Sequence, residues 1–411
     1  MQRRSRSVLT GVIVFVVVLG LGVGAGAARL EATRPPLLRH LTVQATRVTF
    51  PGAPPVLDWP ADGEAAVSVE GVGNLGSSGG DQPVPIASLA KVMTAYLTLQ
   101  DHPLRVGQAG FTVEITPAEA QTEEAMEAQG QSTVDVTAGE KLDEYQLLEA
   151  LLVPSANNAA AILADEDAGS QAKFVADMNA EAHRLGMDHT TYTDPSGYRP
   201  TTVSTAADQL RLAKLALGQP VLARIVALPS VVLPVAGVVR NFNPLAGHPG
   251  DVGIKTGSDS QAGGCLDFAF RQRIAGHRLT VIGVVLGQDR GVEQTSTILQ
   301  AAAKATTGLV DSVTAAVRVA VVVPAGRPVV RFTNAEGDRV RAVTRSPLSQ
   351  LGWGGLRLRV TVGPVASRRS LRAGTRIATV SLSGRLPART VARARATMPT
   401  LPFRWRLHHI V

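Results

Sequence analysis

The feature that most constrains this chain is a serine and a lysine three residues apart at the head of an apolar segment. Ser88 and Lys91 lie within Ile86 to Tyr96, where every other residue is apolar or small. Apolar residues in that pattern predict a buried helix. Ser88 then falls in its first turn, where unpaired amides and the positive end of the helix dipole favour negative charge. A residue three positions on lies about one turn away, on the same face. A serine hydroxyl is a weak nucleophile until a base takes its proton. A lysine withdrawn from water can lose its charge and act as that base. On its own such a pair also describes a capped helix with a solvated lysine, so it acquires meaning only with partners elsewhere.

Two partners come later in the chain, in order. Ser155-Ala156-Asn157 lies at the end of an apolar run, beside Pro154, and Lys255-Thr256-Gly257 follows Asp251 to Ile254. Pro154 breaks the helical pattern of 144–165 and places Ser155 and Asn157 at a turn between helices. Asp251 to Lys255, Leu266 to Phe270 and Leu279 to Leu286 read as strands. Further helices are predicted over 174–185, 205–217 and 295–303, and a strand at 65–72.

The triple Ser-x-x-Lys, Ser-x-Asn, Lys-Thr-Gly resembles the signature of penicillin-binding proteins and class A β-lactamases. Ile86 to Tyr96 is similar to the active-site helix of the serine D-alanyl-D-alanine carboxypeptidases, as are Ala138 to Glu140, Phe174 to Asn179, Leu185 to Met187, Ser204 to Asp208, Asn241 to Leu245 and Ala262 to Cys265 to other parts of that family. The likeness covers roughly residues 60–305. It implies an α/β (α+β) fold of the β-lactamase/transpeptidase type: an antiparallel sheet with packed helices and a helical lobe. It also implies a substrate, the D-Ala-D-Ala end of a peptidoglycan stem peptide, and covalent inhibition by β-lactams. Ser88 would be the nucleophile, Lys91 the base and Ser155 a proton relay. Asn157 would orient Lys91 and the substrate backbone, and Lys255 would hold Ser155 and add positive potential. Thr256 would bond the substrate carboxylate, Gly257 would let substrate approach the strand edge, and the amides of Ser88 and Ser258 would form the oxyanion hole. Arg290, within Gly287 to Glu293, matches a carboxylate-binding arginine of the family; read from its neighbours alone it is a surface ion pair with Glu293. Two departures stand out: Ala156 where the family has glycine, and Asn158 where it has aspartate.

A class A β-lactamase needs a Glu-x-x-Leu-Asn segment for deacylation, and none lies between Ser155 and Lys255. A D,D-endopeptidase acting on crosslinks uses the same residues and remains open beside the carboxypeptidase. A non-catalytic wall-binding protein on this fold is the third reading, against which the intact Ser, Lys, Ser, Asn, Lys, Thr set argues. No cofactor is implied. The eight histidines form no His-Glu-x-x-His metal motif, and His408-His409 reads as a solvated tail.

The 411 residues suffice for more than one domain. Residues 1–28 open with Arg3, Arg4 and Arg6, then run uncharged from Val8 to Ala28, long enough for a bilayer-spanning helix. The basic flank predicts that the rest of the chain is exported, behind either a membrane anchor or a signal peptide cleaved near Ala25 to Ala27. Residues 29–58, with Pro35, Pro36, Pro51, Pro54 and Pro55, read as a linker, and 59–306 as the catalytic domain. A β-rich domain is expected at 315–400: Leu356 to Val362 alternates strictly, with further strands at 317–323, 329–333 and 377–382. From Val317 to Val411 there are eighteen arginines, no lysine and two acids, a net +16 in a chain whose total is +8. Outside a cell, such charge fits anionic lipid or an anionic wall polymer, or else is simply a solvated face; nucleic acid is not an expected partner. Phe403 to Val411 mixes aromatics and cations but is too short for an amphipathic anchor. The single cysteine, Cys265, rules out an intramolecular disulfide and reads as a small buried apolar residue.

Overall fold

The computed structural model describes residues 2–32, 35–42 and 46–408. His409 of the expected histidine tail, with Ile410 and Val411, lies outside the described residues, as do Met1 of the N-terminal segment and 33–34 and 43–45 of the expected linker. The chain divides into two units, one made of 55–318 and the other of the N-terminal residues to 54 together with 319–411.

In the 55–318 unit, five antiparallel strands lie in the order Asp251–Asp259, Gly263–Ile274, His277–Gln288, Glu64–Val69, Gly73–Ser78. Val281 to Leu286 is a continuous apolar run because that strand is covered on both faces. The helix Thr295–Ala316 packs on one face, and Ala206–Gly218 with the turn Ala87–Ala90 on the other. The closing helix expected to end near 303 runs on to Ala316, since Leu309, Val310 and Val313 continue its apolar stripe.

The helix Lys91–Asp101 is buried along nearly its whole length, Lys91 to Leu99. A helix apolar on all sides belongs in the middle of a bundle. It is surrounded by Glu144–Leu152, Asn157–Ala168, Gln171–Arg184 and Ala206–Gly218. Capping boxes begin two of the lobe's helices: Thr116 with Glu119, and Asp143 with Gln146. Gly169, left-handed at φ +74°, ends Asn157–Ala168.

In the second unit, residues Gln2–Ala32 form one helix. Its side chains are described only over 13–26, 28 and 29, and there Ile13 to Leu19, Leu21 and Val23 are all exposed. Among the described residues, no helix is long and apolar enough to cross a membrane. The same unit holds a seven-stranded antiparallel sheet in the order Leu38–Leu41, Pro328–Thr333, Arg339–Thr344, Ala388–Ala394, Arg376–Leu382, Arg357–Val362, Arg47–Thr49. Val330, Phe332, Val340, Ala342, Leu358, Val360, Val380 and Leu382 fill its apolar side. The linker expected over 29–58 is therefore corrected in part. Leu38 pairs with Thr333 and Leu41 with Val330, while Val48 pairs with Leu358, so two pieces of the linker are the two edge strands of this sheet. Prolines around them fit edge positions, where a missing N–H costs no ladder bond. Strands at Arg339–Thr344, Leu348–Gly352 and Ala388–Ala394 add to those expected from the sequence.

Candidate active site

The site forms where the turn Ala87–Ala90, the loop 194–202 and the strand Asp251–Asp259 meet. Ser88 sits in a 3-10 turn that leads directly into the helix beginning at Lys91. Lys91 is fully buried, with Nζ 2.7 Å from the Ser88 Oγ and donating to the Ser196 carbonyl at 3.0 Å. Burial pushes the Lys91 amine well below its usual range, Lys255 lowers it further, and Asp194 opposes both. A neutral amine in that position keeps its donation to Ser196 and has a lone pair free for the Ser88 proton. The residue before the nucleophile, Ala87, has φ +46°, and Ser155 has φ +66°; these are two of four non-glycine residues with positive φ among the described residues. Strain of this kind costs on the order of 1–3 kcal/mol per residue and persists where surrounding structure imposes it.

The loop that presents the Ser196 carbonyl belongs to none of the three sequence motifs. Asp194 holds it: its carboxylate accepts the backbone N–H groups of Ser196, Gly197, Tyr198 and Arg199 and the hydroxyls of Ser196 and Thr202. Burial alone would raise the Asp194 carboxyl, but these bonds hold it below its ordinary value. Gly197, at φ +80°, packs so closely that a Cβ there would run into the Ala87 carbonyl oxygen. The Asp-Pro-Ser-Gly sequence at 194–197 is the one signal that could have found it, since aspartate followed by glycine marks a tight turn.

Ser155 is buried in the turn between Glu144–Leu152 and Asn157–Ala168. The Asn157 amide donates to Gln131 Oε1 at 2.6 Å, so here it engages Gln131 rather than Lys91. Asn158, standing where the family has aspartate, exchanges two bonds with the backbone of Val134 and fixes the 131–134 loop beside Asn157.

Lys255, Thr256, Gly257 and Ser258 lie on the sheet's edge strand. A Cβ on Gly257 would stand 2.7 Å from the Ile86 carbonyl and 3.2 Å from the Ser88 amide nitrogen. The glycine thus lets the nucleophile turn press against the strand, a closer reason than the substrate approach expected from sequence. Lys255 is buried and donates to the Thr256 carbonyl at 2.9 Å; among the described residues it makes no bond to Ser155. Burial lowers Lys255 to about 7, opposed by Asp267. Asp267, to which no sequence motif points, is directly across from Lys255 on the neighbouring strand and fully buried. Burial pushes its carboxyl well up, opposed by Lys255, and neither oxygen has a hydrogen-bond partner among the described residues.

Arg290 lies just past the strand His277–Gln288, with its side chain close over Gly287 and Gly263. Gly263 pairs with Asp259, so this places Arg290 at the Ser258 end of the edge strand. Its charge acts on Glu64, and among the described residues it forms no ion pair with Glu293. Cys265 is buried, its thiol pushed up to about 12 by burial, as a structural cysteine should be. Among the described residues there is no group of three or more His, Cys, Asp or Glu that could hold a metal ion.

A serine hydroxyl within hydrogen-bond reach of a buried lysine, and an edge strand carrying a second buried lysine, fit an acyl-transfer serine enzyme. The family described as D-alanyl-D-alanine carboxypeptidase matches residues 65–290, more than half of the chain, and the chain belongs to it. It is similar to a D-alanyl-D-alanine endopeptidase of Pseudomonas aeruginosa, 34% identical over 214 residues covering 50% of this chain and 66% of that one. It is equally similar to the D-alanyl-D-alanine carboxypeptidase DacB2 of Mycobacterium tuberculosis, 34% identical over 220 residues, 51% of this chain and 70% of that one. Among solved structures, a mutant of the Streptomyces K15 DD-transpeptidase superposes with a TM-score of 0.51 at 26% identity, covering 62% of this chain and 99% of that one. A peptidoglycan synthesis regulatory factor (PBP3) of Streptococcus pneumoniae shares the fold, with a TM-score of 0.57 over 83% of this chain and 99% of that one at 22% identity.

Proposed function

We propose that this chain is an exported serine D,D-carboxypeptidase that removes the terminal D-Ala from peptidoglycan stem pentapeptides through an acyl-enzyme on Ser88. The observation that carries it is the fully buried Lys91 amine 2.7 Å from the Ser88 hydroxyl. In this reading Lys91 takes the Ser88 proton as Oγ attacks the penultimate D-Ala carbonyl. The amides of Ser88 and Ser258 receive the developing oxyanion, and Ser155 passes the proton to the departing D-Ala amine. Lys255, Thr256 and Arg290 attract the terminal carboxylate, and Asn157 aligns the substrate backbone. Water then hydrolyses the ester. β-Lactams, which present the same acyl group and carboxylate, are expected to stop at the ester.

Endopeptidase action on crosslinks is the second reading, favoured by the name of the Pseudomonas aeruginosa relative. Incubation with a muropeptide pentapeptide and with a crosslinked dimer, followed by mass spectrometry, separates the two: loss of one D-Ala against splitting of the dimer. Labelling by a penicillin should be stoichiometric at Ser88 and absent in Ser88→Ala; an adduct on any other residue refutes the assignment.

The exposed apolar side chains of the N-terminal helix and its basic start support a membrane anchor or export signal at 1–28. The net +16 of 317–411 supports attraction of that segment to an anionic surface.

A further inference from the structure

Some of the second unit's arginines are concentrated on one face of its sheet, while others, such as Arg345, Arg368, Arg372 and Arg385, lie in connections. Along the seven-stranded sheet, residues alternate between the apolar cluster and the opposite face, and the strand cations fall on that opposite face except Arg39, which pairs with Phe332. Arg339 and Arg341 are exposed while Val340 and Ala342 are buried; Arg357 and Arg359 are exposed while Leu358 and Val360 are buried. Strand register then sets like charges directly opposite one another. Arg331 faces Arg341, Arg376 faces Arg393, and Arg47 faces Arg359. The edge strand supplied by residues 47–49 carries Arg47, so the arginine face reaches that margin. Among the described residues none of these arginines has a carboxylate ion-pair partner.

Like charges directly opposite in a sheet destabilise it. Three arginine–arginine pairs on one face therefore oppose folding; Arg376 donates to Thr379 and Arg393 to the Gly374 carbonyl, but no carboxylate neutralises them among the described residues, and a local rule broken repeatedly marks a surface compensated from outside. Guanidinium groups, with no lysine among the cations of 317–411, favour bidentate binding of phosphate. The chain's connectivity selects the source of that phosphate. The apolar helix ends at Ala32 and the first edge strand starts at Leu38. Six residue steps span at most about 20 Å. A helix held in a bilayer therefore tethers this sheet near the headgroups.

We infer that the arginine face of the seven-stranded sheet docks on an anionic phospholipid surface, an inference that rests on the membrane-anchor reading of residues 1–28. The anchor holds the chain to the membrane, and the arginine face, drawn to lipid phosphates, fixes the orientation of the unit that carries it. The attraction acts over about 10 Å at 0.1 M salt and weakens above that.

The test is arginine footprinting of the full chain with a guanidine-selective reagent and peptide mass spectrometry. It is run with neutral phosphatidylcholine vesicles and with vesicles containing phosphatidylglycerol. Arg341, Arg359, Arg376 and Arg389 are expected to be protected at least about fivefold by the anionic vesicles, the effect of a favourable contact near 1 kcal/mol. Neutral vesicles or high salt should leave them reactive, with Arg271 of the other unit as the unprotected reference. Equal reactivity in both lipids overturns the inference. So does protection by a soluble poly(glycerol phosphate) without protection by phosphatidylglycerol, which would assign the face to a wall polymer. Co-sedimentation with neutral vesicles reports the anchor separately, so a failed anchor and a failed arginine face give different results. As a second measurement, Arg331→Thr with Arg376→Thr relieves two like-charge pairs. It should raise the melting temperature while reducing the protection at Arg341; lowered stability with unchanged protection overturns the inference.

Discussion

Replacing Asp267 by asparagine tests how the active site keeps one lysine neutral and a second charged. In the proposed mechanism Lys91 is neutral to accept the Ser88 proton, whereas Lys255 is charged to attract a carboxylate. Both are buried, and burial works against charge at each. An aspartate opposes burial at each, Asp194 at Lys91 and Asp267 at Lys255, and the difference is that Lys91 also feels Lys255 as a like charge. Among the groups around Asp267, Lys255 is the cation and the Tyr192 hydroxyl is a further titratable group within electrostatic reach. With Asp267 ionised, a coupling of about 2 kcal/mol at an effective dielectric of about 20 amounts to roughly 1.5 pK units. Asp267 raises Lys255, so Asp267→Asn must lower it from about 7. The alkaline limb of kcat/KM should then fall to about pH 5.5, with turnover of an acyl-D-Ala-D-Ala peptide down about 20-fold at pH 7.5 but only about twofold at pH 5.5. Asp267→Glu, which keeps a carboxyl, should hold the wild-type limb. A C-terminally amidated peptide should be turned over poorly by the wild type and show no such pH-dependent loss in the variant. An Asn variant with an unmoved limb, or a loss equal at all pH values, refutes the reasoning: Asp267 would then be a protonated structural residue.

Gly197→Ala should cost about 2–3 kcal/mol of stability through its positive φ and its collision with the Ala87 carbonyl, read as a lower melting temperature together with slower penicillin acylation. Asp194 has its carboxyl held below its ordinary value, so its stabilisation is present above the unfolded pKa near 3.8 and is lost as pH falls through the lower folded value. Asp194→Asn should therefore destabilise the enzyme at pH 7 and flatten the stability curve between about pH 4 and 2; curves parallel to the wild type's contradict this.

How much was legible depended on whether the information lay within one stretch of chain. Ser88 with Lys91, and the turn carrying Ser155 and Asn157, are local features, and so were the strands around Lys255. Asp267 was not legible, because it sits in an apolar stretch and gains its meaning from a register that sets it across from Lys255. The Ser196 carbonyl that accepts from Lys91 is a backbone atom 105 residues away, on which composition is silent. The Asn157 contact with Gln131 depends on a loop geometry that no short motif encodes. Leu38–Leu41 and Arg47–Thr49 were too short and too flanked by proline to read as strands, and their partners lie about three hundred residues on. The +16 was countable in the sequence, but only the pairing shows that arginines face arginines.

Close packing is what joins the Ser88 turn to the Lys255 strand and the Asp194 loop. Gly257 lies against the nucleophile turn and Gly197 against the other side of the same turn, each where a side chain would not fit. The turn is thus gripped between the edge strand and the Asp194 loop, which accounts for Ala87 being held at a positive φ. The same grip excludes water from Lys91, and the resulting loss of solvation lowers its amine. Backbone strain at Ala87 and the lowered amine of Lys91 thus lie in one packed segment. Loosening either glycine contact should move both together, so a change that relieves the strain is expected also to rehydrate and recharge the base.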